Sequence, residues 1–90
     1  MALIGYKAFN ENMTCTHGKG TFQYEVGQTY KTEGNAMIKQ NGFHFCFDKL
    51  DCLHFYPNAK VICEVEPLGE IEGDGLEYAT TEIKILRRVV

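Results

Sequence analysis

Asn41-Gly42-Phe43-His44-Phe45-Cys46-Phe47-Asp48-Lys49-Leu50-Asp51-Cys52-Leu53-His54-Phe55-Tyr56-Pro57 holds a turn, an alternating aromatic strand, a helix start and a helix stop. Asn41-Gly42 is the dipeptide that best tolerates positive φ, so it predicts a tight hairpin. Strand alternation then puts Phe43, Phe45 and Phe47 on one side, with His44 and Cys46 on the other. The three rings are expected to sink inward as core and to leave the imidazole side facing out. Asp48 is placed to cap a helix, and Asp51 lies near its positive end. Pro57 stops that helix, because the residue before a proline is pushed out of the α region. Over residues 48–56 the helical wheel gathers Leu50, Cys52, Leu53 and Tyr56 on one side, and Asp51 and His54 on the other. So short a helix cannot stand alone and must pack on a sheet.

On the N-terminal side, residues 3–9 read as a first strand, with Ile4, Tyr6 and Ala8 on one face and Lys7 and Phe9 on the other. Asn10 to Lys19 is polar and reads as a loop. Phe22, Tyr24 and Val26 alternate with Gln23 and Glu25, a short half-buried strand. Gly27-Gln28 turns the chain into Thr29-Tyr30-Lys31, and Gly34-Asn35 is a further turn. Ala36 to Gln40 is then expected to pair across Asn41-Gly42 with Phe43 to Phe47.

Beyond the helix, Lys60 to Glu66 alternates, with Val61, Cys63 and Val65 inward and Glu64 and Glu66 outward. Ile62 interrupts the polar set and implies partial cover on the second face. Gly69 to Gly75 reads as an acidic loop. Ala79 to Leu86 reads as a last strand, with Thr81, Ile83 and Ile85 on one face and Glu82 and Lys84 on the other. The expected fold class is α+β: a single domain over residues 1–90, a small, mainly antiparallel β-sheet with one short helix at about residues 48–56.

Ninety residues fit one compact core, since a chain of this size buries only about 60–65% of the surface that its unfolded form exposes. Hydrophobic content of 44% with six Phe and five Tyr suffices for that core and argues against disorder. No apolar run approaches the roughly 18 residues needed to span a bilayer. The opening Met1-Ala2-Leu3-Ile4-Gly5-Tyr6-Lys7 lacks the basic and apolar regions of a secretory signal, so a cytoplasmic location is expected. Four cysteines, Cys15, Cys46, Cys52 and Cys63, allow three pairings, but in a reducing compartment they are expected as free, small hydrophobes.

The net charge of −3 hides an asymmetry. Residues 61–83 carry Glu64, Glu66, Glu70, Glu72, Asp74, Glu77 and Glu82 with no Lys or Arg; Lys84, Arg87 and Arg88 follow. Such a surface argues against direct binding to nucleic acid or anionic lipid and suits a basic partner. Glu64, Glu66, Glu70, Glu72, Asp74 and Glu77 are therefore the candidate partner-binding residues.

Catalytic constellations are weak. His44, Cys46, Cys52 and His54 suggest zinc, but Cys52 and His54 stand about 160° apart around a helix and cannot share one ion. His44 beside Cys46, or His17 beside Cys15, lacks the oxyanion donor and the orienting third residue of a nucleophilic site. Glu64 and Glu66 lie roughly 7 Å apart on one strand face, a spacing that exposed glutamates commonly show. Gly69 to Gly75 lacks the Lys-Ser/Thr of a phosphate loop, and its own charge repels phosphate. No metal or cofactor is implied by these patterns.

The chain resembles a family of short uncharacterised proteins common in bacteriophage and bacterial genomes. The likeness rests on Tyr6-Lys7-Ala8-Phe9, on Phe22-Gln23-Tyr24-Glu25-Val26-Gly27-Gln28-Thr29-Tyr30, and on Asn41-Gly42-Phe43-His44-Phe45-Cys46 with Leu50-Asp51 and Tyr56-Pro57. Val65 to Glu70 and Ala79 to Ile85 complete it. The resemblance implies no established activity but favours a phage or prophage origin. Small size, one compact domain, no credible catalytic set and the acidic 61–83 segment then point to a phage or mobile-element accessory protein that binds and inhibits or modulates a host protein, as anti-defence inhibitors do, in the cytoplasm of a bacterial host. That host protein is expected to present a basic, nucleic-acid-binding surface.

A looser resemblance is to minimal ADP-ribosyltransferase-type folds, through Gly42-Phe43-His44-Phe45 before a helix and a late-strand Glu82. Tyr6 and Lys7 stand where that family carries Arg or His. It implies a nucleotide- or NAD-binding face of Tyr6, Lys7, His44 and Glu82. A structural or assembly module is the third expectation.

Overall fold

The computed structural model describes residues 3–17, 20–34, 42–55, 57 and 59–89. Nine antiparallel strands and one helix are found among them. In chain order they are β1 (Gly5–Phe9), β2 (Thr14–His17), β3 (Gly20–Gln23), β4 (Thr29–Lys31), β5 (Phe43–Phe45), α1 (Lys49–Phe55), β6 (Val61–Pro67), β7 (Ile71–Gly73), β8 (Tyr78–Thr80) and β9 (Glu82–Arg88). They form a four-stranded sheet in the order β1-β6-β9-β4, a β2-β3 hairpin and a three-stranded sheet in the order β5-β8-β7. The two larger sheets are joined where Tyr6 and Cys46 exchange backbone hydrogen bonds of 2.6 and 2.8 Å.

The expected α+β class, mainly antiparallel sheet with one short helix, is what this architecture shows. The central strand β6 explains its layering. Val61, Cys63 and Val65 point to one face, where they meet Phe9, Phe43, Phe45, Ile83 and Ile85 in the main core. Ile62 points to the other face and is buried with Cys46 and Cys52, flanked by Tyr6, Ala8 and Leu53. The cover implied by Ile62 is therefore real, and part of it is α1.

That helix starts as its sequence requires. The Asp48 carboxylate accepts a hydrogen bond from the backbone N–H of Leu50 at 2.7 Å, and the Asp48 carbonyl accepts from Cys52 at 3.1 Å. Its buried stripe is narrower than the wheel suggested. Cys52 is buried and Leu53 half-buried, while Leu50 is 72% exposed. A helix this short can seat only about one turn on a sheet.

Other expectations are corrected by pairing across the chain. The polar stretch from Asn10 to Lys19 contains β2, which pairs with β3 from Thr14↔Gln23 to His17↔Gly20. Tyr24 lies beyond β3 and is buried, whereas Phe22 and Val26 are exposed. The acidic loop contains β7, and the last strand is two strands, β8 and β9, broken at Thr81. Ala36 to Asn41, the expected partner strand and half of its turn, lie outside the described residues. Within them β5 pairs with β8, at Phe43↔Thr80, His44↔Ala79 and Phe45↔Tyr78. Phe43 and Phe45 sink into the core, but Phe47 lies beyond the end of β5, 36% exposed, with its edge against Phe45 and Tyr78.

Candidate functional site

Alternation along β1 puts Gly5, Lys7 and Phe9 on the core side, so a lysine enters the interior on a strand face that is otherwise apolar. Lys7 is only 4% exposed. Its ammonium donates a 2.7 Å hydrogen bond to the His44 carbonyl on β5 and lies 5.5 Å from the centroid of the Tyr24 ring. Burial lowers its pKa from the ordinary lysine range; the nearby Cys15, Cys52, Glu77 and Cys46 oppose that shift. The Tyr24 hydroxyl is buried without a hydrogen-bond partner among the described residues, and burial raises its pKa.

All four cysteines are free thiols. Cys15 donates to the Ala8 carbonyl at 3.3 Å, and Cys63 lies 4.0 Å from the Met13 sulfur. Cys46 and Cys52 are buried together with Ile62 in the small cluster under α1. Burial pushes the Cys63 thiol from 9.0 up to about 11. A proton is thus held longer in the folded chain than in the unfolded one, so stability falls as pH rises from about 9 toward 11. Denaturation of wild type and Cys63→Ala at pH 7 and pH 10 should show wild type losing more stability across that interval. An equal loss in both would mean that this thiol titrates as it does in the unfolded chain.

The acidic residues separate into distinct environments. Glu64 holds Arg87 through two hydrogen bonds, 2.8 Å to Nε and 3.2 Å to a terminal nitrogen, and that contact lowers its carboxyl pKa. Glu66 is half-buried, level with Lys84 on β9. Asp74 closes a turn, its carboxylate accepting from the backbone N–H of Leu76 at 3.0 Å and of Glu77 at 2.9 Å. Glu77, expected on the outward surface, is 6% exposed, because this turn sends the chain back into β8 beneath it. Glu72 is exposed on β7 and Glu70 is exposed just before it; among the described residues β7 forms one edge of its sheet. Leu68 and Leu76, 47% and 51% exposed, flank them in sequence.

The face expected from Tyr6, Lys7, His44 and Glu82 is not assembled. Lys7 stands opposite Cys63 and points into the core, whereas Tyr6 stands opposite Glu64 on the other face. Glu82 alternates with the buried Ile83 and Ile85, so it belongs to the face turned away from Lys7. His44 meets Lys7 through its backbone carbonyl rather than its ring. Among the described residues, no group of three His, Cys, Asp or Glu side chains is placed to hold a metal ion, and no helix is long and apolar enough to cross a membrane. On α1, Cys52 is buried and His54 is exposed.

A family model described as a domain of unknown function, DUF7666, matches residues 3–90. The chain belongs to this family. No curated protein and no solved structure matches it. The chemistry open to this DUF7666 domain is that of its own residues. Two of their features escaped the sequence reading. The interior lysine was signalled by the shared face of Lys7 and Phe9, though a lysine in that position normally indicates solvent. The burial of Cys46 and Cys52 in one cluster had no comparable signal, since it depends on where α1 docks.

Proposed function

We propose that this domain is a non-enzymatic binding module that inhibits or modulates a protein with a basic surface, and that β7 is its recognition edge. The observation that carries this reading is the edge itself: exposed Glu72 on the outer strand β7 and exposed Glu70 just before it, flanked by exposed Leu68 and Leu76. Carboxylates at a rim steer a cationic partner and speed its arrival, while neighbouring apolar side chains supply buried area once it docks. An edge strand also offers backbone groups to an incoming extended segment. The sealed position of Lys7 favours binding over lysine chemistry. The sequence resemblance to phage and bacterial proteins supports an accessory role on a phage or mobile element, with a nucleic-acid-handling host protein as target. Anti-defence inhibition is the form that such a role would take.

Glu70→Lys combined with Glu72→Lys tests this surface without touching the Asp74 turn or the Glu64–Arg87 pair. Stability should change by no more than about 0.5 kcal/mol per site, as for other exposed positions. Capture from host lysate at low salt should lose its retained partner in this variant, but not in a control carrying Glu25→Lys and Glu33→Lys. Wild-type capture should also weaken as salt rises. Equal retention by both variants, or no retained protein with wild type, would refute the assignment.

A further inference from the structure

The ladder between β7 and β8 decides which backbone groups β7 turns outward. Its register is Ile71↔Thr80, Glu72↔Ala79 and Gly73↔Tyr78. Just outside it, the Thr81 N–H donates to the Glu70 carbonyl at 3.2 Å, and the Asp74 N–H donates to the Glu77 carbonyl at 3.1 Å. Hydrogen-bonded pairs alternate along an antiparallel ladder, so Glu70, Glu72 and Asp74 direct their backbone groups toward β8. Ile71 and Gly73 therefore turn their N–H and C=O groups away from β8, and among the described residues no strand lies beyond β7.

Side chains at this edge sort onto two faces. Ile71 packs against the main core, and so does Tyr78, whose ring occupies the space that a Cβ at Gly73 would fill. That ring also packs at a steep angle against exposed Phe47, with centroids 4.7 Å apart. The core face thus reaches the open edge as apolar surface, and Gly73 has no side chain to hold a neighbour off. On the opposite face stand the exposed carboxylates of Glu70 and Glu72.

We propose that β7 takes up an extended partner segment as a fourth, antiparallel strand of its sheet, and that this segment alternates apolar and basic residues. The inference rests on the reading of β7 as the recognition edge and gives that edge its ligand class. The ligand residue opposite Ile71 exchanges two backbone hydrogen bonds with it, and the one opposite Gly73 exchanges two more. Both of these ligand residues lie on the core face, where apolar side chains extend the surface of Ile71 and Tyr78. The residue between them and the residue opposite Glu70 lie on the carboxylate face. Lysine or arginine there meets Glu72 and Glu70 directly across the strands. Glu72 falls in a pair without backbone bonds, the kind in which side chains stand closer. An acidic segment in the same place would set like charges opposite each other.

The probe is a short capped peptide of alternating valine and lysine, titrated into the folded chain at low salt, with hydrogen exchange at single amides as the readout. Saturation should slow exchange at Ile71 and Gly73 about tenfold or more. Thr29 and Lys31 of β4, which the bonds of Gln28 and Thr32 to β9 leave facing outward on an edge without carboxylates, should keep their rates. N-methylation of the valines removes the donors that face Ile71 and Gly73 and should abolish binding. N-methylation of the lysines alters amides on the far side of the added strand and should leave binding nearly intact. Glu72→Gln should weaken binding about threefold, and rising salt should weaken it further. The proposal is overturned if the peptide does not bind, if both methylated peptides bind alike, or if exchange at Ile71 and Gly73 is unchanged under saturating peptide. Equal binding of the methylated peptides would leave the acidic recognition surface standing and remove the added strand. Failure of lysate capture, with Ile71 and Gly73 still protected by the peptide, would remove the basic host protein and leave the added strand. The deciding results are read on the wild-type chain and need no variant to fold.

Discussion

Replacing Lys7 with alanine should lower the unfolding free energy by about 3 kcal/mol, and replacing it with methionine by only about 1 kcal/mol. Alanine removes the aliphatic stem from a packed interior and leaves the His44 carbonyl, which now accepts a 2.7 Å bond, without its donor. A buried acceptor stripped of its partner costs about 1–3 kcal/mol, and the lost stem adds a cavity term. Methionine keeps most of the volume and also abolishes a buried charge, which offsets part of the loss. In a domain of this size the alanine variant should melt about 15 °C below wild type. Urea unfolding of the three proteins at neutral pH measures the series. An alanine variant within about 0.5 kcal/mol of wild type would place the amine in solvent and undo the interior described here.

The same residue predicts a pH dependence. Its folded pKa lies below 10.5, so between that lowered value and 10.5 the unfolded chain binds the extra proton. Stability contributed at this site therefore rises with pH through that window. Wild type should gain on Lys7→Met as pH is raised toward 10.5. The four thiols are present in both proteins, so their titration cancels in the comparison.

Gly42→Ala should cost about 3 kcal/mol, from two separable sources. Gly42 adopts φ +106°, a region in which an L side chain costs about 1–2 kcal/mol. A Cβ there would also stand 2.8 Å from the Thr80 carbonyl oxygen, and that atom belongs to backbone held in the β5–β8 ladder. Gly27 supplies the comparison, with φ +90° and open space around its absent Cβ. Gly27→Ala should therefore show the conformational cost alone, about 1 kcal/mol. The difference between the two variants measures the close approach of Gly42 to β8. Equal costs would mean that β8 yields freely, and that the Phe43↔Thr80 pairing is looser than described.

Much of this chain announces its local conformation. Asp48 caps the helix for which its side chain is suited, and Gly42 takes the positive φ that the Asn41-Gly42 dipeptide suggested. Val61, Cys63 and Val65 face the core in the alternation visible in the sequence. These features are legible because each depends on a few neighbouring residues and on the strand or helix period. β2 and β7 were hidden for the opposite reason. Their polar or glycine-rich residues become strands only because Gly20–Gln23 and Tyr78–Thr80 lie alongside to complete their hydrogen bonds.

The candidate sites divide in the same way. The acidic bias of residues 61–83 is a property of composition and stands without any fold. Which carboxylates reach the surface is a property of packing: Glu70 and Glu72 lie on an edge, Glu64 is bound to Arg87, and Glu77 is interior. Lys7 lies far along the chain from Cys46 and Cys52, and no local rule relates them.

By itself, the order of residues determined the secondary-structure punctuation of much of the chain, the inward faces of its central strands and the sign of its surface charge. Those follow from backbone sterics, side-chain periodicity and formal charge, all of which act over short stretches. Only the tertiary structure decided that a lysine lies inside, that two thiols are buried together under a helix, and which glutamates face outward. Burial and hydrogen bonding between distant segments arise from closure of the whole sheet, and they turn ordinary side chains into a sealed cation, a buried thiol cluster and an exposed edge.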